Sequence, residues 1–176
     1  MRRLLGEIDR TFHNGMFSVA LINVLLLPDI CGAVEYPDAA RPRNSTRYIR
    51  WYDVNVGPHR GGPKFDGEVV WKLRNGMIHE TSLQLGAFGF DRVLFRLPGH
   101  PAYIDMMITG GNGGVEATVL TIDLQRFSRD VVQAADRWLS DVEADEDPTR
   151  RERMEGLMQF RMNGLPPHIE GLPLIA

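Results

Sequence analysis

The run MFSVALINVLLL, residues 16–27, constrains this chain more than any other stretch, and it stops at Pro28-Asp29. It is about half as long as a bilayer-spanning helix needs to be. Its apolar residues are too many for one stripe. The segment 16–34 therefore predicts a helix buried on most sides, which must have other helices around it. Pro28 lacks a backbone donor and is expected to kink this helix or mark its end. With 43% hydrophobic and 24% charged residues, the chain can bury a core and stay soluble. No membrane association is expected, and the location that fits is cytoplasmic. The single cysteine, Cys31, excludes an internal disulfide, which suits a reducing compartment. Among apolar neighbours it reads as buried and structural, not as a reactive thiol.

The rest of the sequence supplies the covering elements. Leu4, Leu5, Ile8 and Phe12 give residues 2–13 the spacing of an amphipathic helix, with HNG at 13–15 as a break or bend. The stretch EYPDAARPRNS is a loop. Ser45 or Thr46 is expected to cap a helix over TRYIRWYDVNV, with Tyr48, Trp51 and Tyr52 as an aromatic face. GPHRGGPKF breaks the chain, and Asp66 is the expected N-cap of GEVVWKLRNGMIHE. Val69, Val70, Leu73, Met77 and Ile78 form the buried side of that helix.

After Glu80 the pattern changes. RVLFRLP, YIDMMIT and VEATVLTID read as short strands, with GGNGG at 110–114 as a hairpin turn. They predict a small antiparallel sheet around residues 90–122, inserted before a late long helix capped by Asp123. Leu124, Phe127, Val131, Ala134, Ala135 and Trp138 follow the helical period there. DEDPT ends it, RRERMEGLMQFRMNG reads as a last helix, and LPPHIEGLPLIA as an extended tail. The expected fold class is mainly α: a helical bundle with an inserted sheet, one domain over residues 1–176.

Several functions are disfavoured. The net charge of -3 and pI near 5.9 give no broad basic face. Nucleic-acid contact would have to be local, in a groove lined by few arginines. No Cys or His pairs stand at zinc spacing, and there is no P-loop and no serine elbow. GGNGG joins two strands, whereas a dinucleotide fingerprint opens a helix. No metal and no cofactor are expected. Of the five histidines, those at 13, 59, 100 and 168 fall at breaks, turns or the tail and read as solvated.

His79 has different company, in WKLRNGMIHE. Asn75 lies four residues before it, on the same helix face, and Arg74 is one position round. Imidazole exchanges protons near neutrality. Guanidinium offers a fixed fork of donors to phosphate oxygens. A carboxamide can orient either. Those groups suit phosphodiester cleavage without a metal, because RNA brings its own 2′-hydroxyl nucleophile. The alternative is that Arg74 and His79 are solvated or pair with acids of the same subunit.

The segment 74–79 resembles the R-N-x-x-x-H signature of HEPN domains, small helical bundles common among toxin, abortive-infection (phage-defence) and RNA-processing ribonucleases. The resemblance implies catalytic Arg74 and His79, a supporting Asn75, and a homodimer with a composite cleft. For a toxin it also implies an antitoxin partner. A catalytically silent relative would instead bind nucleotide or a protein partner. Gly76, in mid-helix, is expected where another backbone or a phosphate approaches, with the dimer interface as the candidate and a helix bend as the alternative. Tyr48, Trp51, Tyr52 and Trp71 are core residues or, in a non-enzymatic interaction protein, a binding surface. The Pro-rich tail either packs on its own bundle or crosses to a partner subunit.

Overall fold

The computed structural model describes residues 1–37, 44–59, 65–80, 82–84, 88–99, 106–112, 115–157 and 160–175. Its centre is the apolar helix. Helix α1 (Arg2–His13) leads into α2 (Phe17–Glu35), and α3 (Asn44–Asn55), α4 (Gly67–His79), α5 (Leu124–Ala144) and α6 (Thr149–Glu155) follow. All five others pack on α2. Its Ala20, Leu21, Val24, Leu25, Leu27, Cys31 and Val34 are buried. By length and composition alone α2 could cross a membrane, but half of its most apolar window is buried inside the fold.

Pro28 does not end α2, which runs on through Cys31 to Glu35. The missing N–H leaves the Val24 carbonyl without its helical donor. Packing from five sides offsets that cost, which is about 3 kcal/mol in an exposed helix. A donor from α3 also enters the opened turn: the Tyr48 hydroxyl donates to the Leu25 carbonyl at 2.8 Å. Cys31 is fully buried, and burial pushes its thiol well above the ordinary range, which makes it inert.

The break between α1 and α2 has a local cause. Gly15 adopts φ +73, its N–H donates to the Phe12 carbonyl, and the Met16 N–H donates to Thr11. That pair of bonds closes a helix end and needs a left-handed residue. Phe12 and Phe17 then meet edge-on at 5.3 Å across the corner. Helix α3 begins at Asn44, just before the expected Ser45 or Thr46 cap. It lies very close to α2: a Cβ on Gly32 would stand 2.8 Å from the Arg47 carbonyl oxygen. Gly32→Ala is expected to destabilise the fold by about 1–3 kcal/mol through this backbone collision. A urea midpoint equal to wild type would show that the two helices are free to move apart.

The aromatic face of α3 is core. Tyr48, Trp51 and Tyr52 are fully buried. Tyr48 meets Trp71 edge-on at 5.1 Å, and Trp51 meets Trp138 at 6.2 Å. Only Trp71 of the four aromatics keeps partial exposure.

The inserted sheet stands where expected, directly before the long helix, but it is mixed and not antiparallel. Strands β1 (Arg92–Arg96), β2 (Met106–Asn112) and β3 (Val115–Asp123) lie in the order β1-β3-β2. β2 runs antiparallel to β3, and β1 runs parallel to it, with Val93 opposite Leu120. Burial accounts for the strand order. Residues 120–123 of β3 are all buried, on both faces of the strand, which belongs in the middle of a sheet. Side-chain alternation marks a strand but carries no information on its direction. Gly110, Gly111 and Asn112 continue β2 and are not turn residues, and 113–114 lie outside the described residues. His100 lies outside them too.

β3 passes into α5 without a linker. The Asp123 carboxylate accepts from the Arg126 N–H at 2.7 Å, as an N-cap does. α6 ends at Glu155, earlier than the sequence pattern predicts. The tail is not simply extended. β4 (Phe160–Arg161) pairs with β7 (Leu174–Ile175), and β5 (Gly164–Leu165) with β6 (Ile169–Glu170). Gly171 at φ +74, its N–H bonded to the Asn163 carbonyl, folds that segment back.

Candidate functional site

Helix α4 is held at both ends. Asp66 caps it, accepting from the Val69 N–H at 3.2 Å. At the other end the Gly76 carbonyl accepts from both the Glu80 and Ser82 N–H groups, at 2.9 and 3.0 Å. The chain leaving the helix therefore folds back over Gly76, and a Cβ there would stand 2.7 Å from the Ser82 oxygen. The close approach expected at Gly76 is present, and the approaching backbone is the chain's own.

Val69, Val70 and Leu73 are buried as expected, and Met77 is half-buried. Ile78 is 39% exposed, not part of the buried side. At ~100° per residue, Ile78 falls near Trp71, between Arg74 on one flank and Asn75 and His79 on the other. The same count puts Arg74 and His79 about 140° apart around the helix.

Arg74 and Asn75 are brought together: Arg74 Nη1 donates to Asn75 Oδ1 at 3.0 Å. That bond leaves the Asn75 amide nitrogen as an available donor. Arg74 also has an acidic partner. Its Nη2 lies 2.5 Å from Asp29 Oδ2 on α2, and the two side chains are only 20% and 22% exposed. The guanidinium carbon sits 5.3 Å from the Trp71 ring centroid, a cation–π contact. Arg74 Nε is buried without a partner. His79 is exposed in the last turn, and among the described residues it makes no hydrogen bond to Arg74 or Asn75.

Asp29 is the residue that sequence reasoning missed. The signal was available: it is the only charged residue in 17–34. A carboxylate in so apolar a helix needs a partner, because burying it unpaired is costly. Beneath the ion pair, burial pushes the Tyr48 phenol well above its ordinary range, so it stays protonated and acts as a donor. Among the described residues no group of three or more His, Cys, Asp or Glu side chains could hold a metal ion.

The other described histidines lie on other elements. His13 ends α1, His59 closes a 3-10 turn at Gly57–His59, and His168 is exposed in the tail. Comparison with known protein families, with characterised proteins and with solved structures finds no match to this chain.

Proposed function

We propose that this chain is a HEPN-like helical protein acting as a metal-independent endoribonuclease, with the RNA 2′-hydroxyl as nucleophile. The observation that carries the reading is an exposed imidazole on the same helix as a guanidinium fixed in place by Asp29 and Asn75. His79 moves the proton. Arg74 and the free amide of Asn75 supply N–H donors to the phosphate.

Because Arg74 and His79 lie on different flanks of α4, the reading places the phosphate between two copies of the chain. A homodimer is supported by α2. Its Ile22, Leu26 and Ile30 remain half-buried, and Val19 is 49% exposed. Their three- and four-residue spacing forms one stripe, which borders Asp29. A second copy on that stripe would bury apolar surface beside the Arg74 cluster.

A second reading is favoured by the ion pair itself. Asp29 neutralises Arg74 and occupies one nitrogen of its fork. On that reading the protein is a catalytically silent relative that binds nucleotide or a protein partner. Incubation with single-stranded and structured RNA in EDTA separates the two. The nuclease reading expects products ending in a cyclic phosphate, with His79→Ala slowing cleavage by roughly 10²-fold or more. Cleavage that survives His79→Ala and Arg74→Ala together removes the mechanism. Absence of cleavage by the folded wild-type protein leaves the binding reading.

A further inference from the structure

We infer that a cleft between α1 and α5 is a second binding site, for a small carboxylate with an apolar body. It shares no residue with the Arg74 cluster and does not depend on the nuclease reading. Ile8, Asp9, Phe12 and His13 form one wall. Gln125, Ser128, Arg129, Val132 and Gln133 form the other. The volume is about 350 Å³, at the lower end of the range for small-molecule sites, roughly 300–1,000 Å³.

Ser128 is the sign that something belongs there. It is only 7% exposed, and its hydroxyl is buried without a hydrogen-bond partner. A serine or threonine inside a helix ordinarily bonds back to the carbonyl one turn earlier. Thr11 does so to Glu7 at 2.7 Å, and Ser140 to Asp136 at 3.0 Å. Ser128 does not: its hydroxyl is buried and unpaired within the cleft wall, where a turn of the side chain would bring it to a ligand.

The charges select the ligand. Arg129 is exposed and has no ion pair or hydrogen bond among the described residues, whereas Arg126 nearby lies 4.0 Å from Asp130. Asp9 is engaged by His13, whose Nδ1 stands 3.4 Å from the carboxylate and 2.9 Å from the Asp9 carbonyl. A carbonyl only accepts, so Nδ1 carries the hydrogen and Nε2 is left unbonded. One unpaired guanidinium and two carboxamides surround Ile8, Phe12 and Val132, with the unpaired Ser128 hydroxyl buried behind them. A monoanion with an apolar body satisfies that set. A phosphate dianion would meet one unpaired arginine, a carboxylate and an apolar floor.

The test uses benzoate, benzyl alcohol and inorganic phosphate as probes, followed by amide chemical shifts of the 176-residue chain. Benzoate is expected to shift residues 8–13 and 125–133 at millimolar concentration, with benzyl alcohol and phosphate each at least roughly tenfold weaker. Arg129→Gln, at an exposed position, should erase the preference for benzoate over benzyl alcohol. Ser128→Ala should weaken benzoate roughly three- to tenfold, the range a single hydrogen bond supplies, and leave the fold intact. The proposal is overturned if no probe shifts these residues, if the neutral probe or phosphate binds as well as benzoate, or if Arg129→Gln keeps the preference.

Discussion

Trp51→Ala is expected to lower the free energy of unfolding by about 3–5 kcal/mol, the range for deleting a large aromatic from a packed core. Trp51 heads the fully buried side chains by size. Its indole nitrogen has no partner, so the loss is one of packing and not of a hydrogen bond. The damage also spreads. Trp51 supports Trp138 edge-on, and the Trp138 indole donates to Glu35 at 2.8 Å. Glu35 also accepts from Arg150 at 3.1 Å, and Arg153 donates to the Val34 carbonyl at 2.7 Å. One ring thus underlies the corner where α2, α5 and α6 meet. Domains of this size are stable by about 5–15 kcal/mol in total, so the variant should lose roughly a fifth or more of its stability. Urea denaturation measures it, with the slope expected unchanged. Trp51→Phe removes the orphan N–H and keeps a ring, and should cost much less. A loss below about 1 kcal/mol for Trp51→Ala would mean that the core closes over the gap.

Asp29→Ala is expected to cost about 2–3 kcal/mol. Removing one partner of a fully buried ion pair costs about 3–5 kcal/mol, because the other charge is stranded. The one-fifth exposure of Asp29 and Arg74 brings the figure down. The decisive comparison is the double variant Asp29→Ala with Arg74→Met. With both charges gone, most of the loss should return, a positive coupling that only a cycle of single and double variants exposes. Strictly additive losses would show that the pair contributes nothing as a pair. The nuclease test is best run beside this cycle, so that lost activity is not confused with a lost fold.

What the sequence revealed and what it concealed follow from the range of the interactions involved. The helical period of α1, α4 and α5 and the caps Asp66 and Asp123 are local, and each was legible within a few residues. Pro28 does not end α2, because its penalty is local, while the packing that outweighs it comes from five other helices. The parallel pairing of β1 with β3 is a long-range choice that no pattern within either strand encodes. At the candidate site, Arg74 and Asn75 stood out as neighbours along the chain. Asp29, forty-five positions upstream, could be found only by asking why a carboxylate sits in an apolar helix. Ile78 was misplaced because one hydrophobic residue on a polar edge looks the same in sequence as one on the core side.

The central position of α2 also sets a timetable. Synthesis delivers the chain at about 5–20 residues per second, and the most apolar helix is made before most of its partners. α1 precedes it and α3 and α4 follow soon, but α5 comes only after the whole inserted sheet. The flank of α2 that α5 will cover therefore waits on the order of ten seconds for its partner. During that interval this one flank of α2 stays uncovered, an apolar surface of the kind that holding chaperones grip.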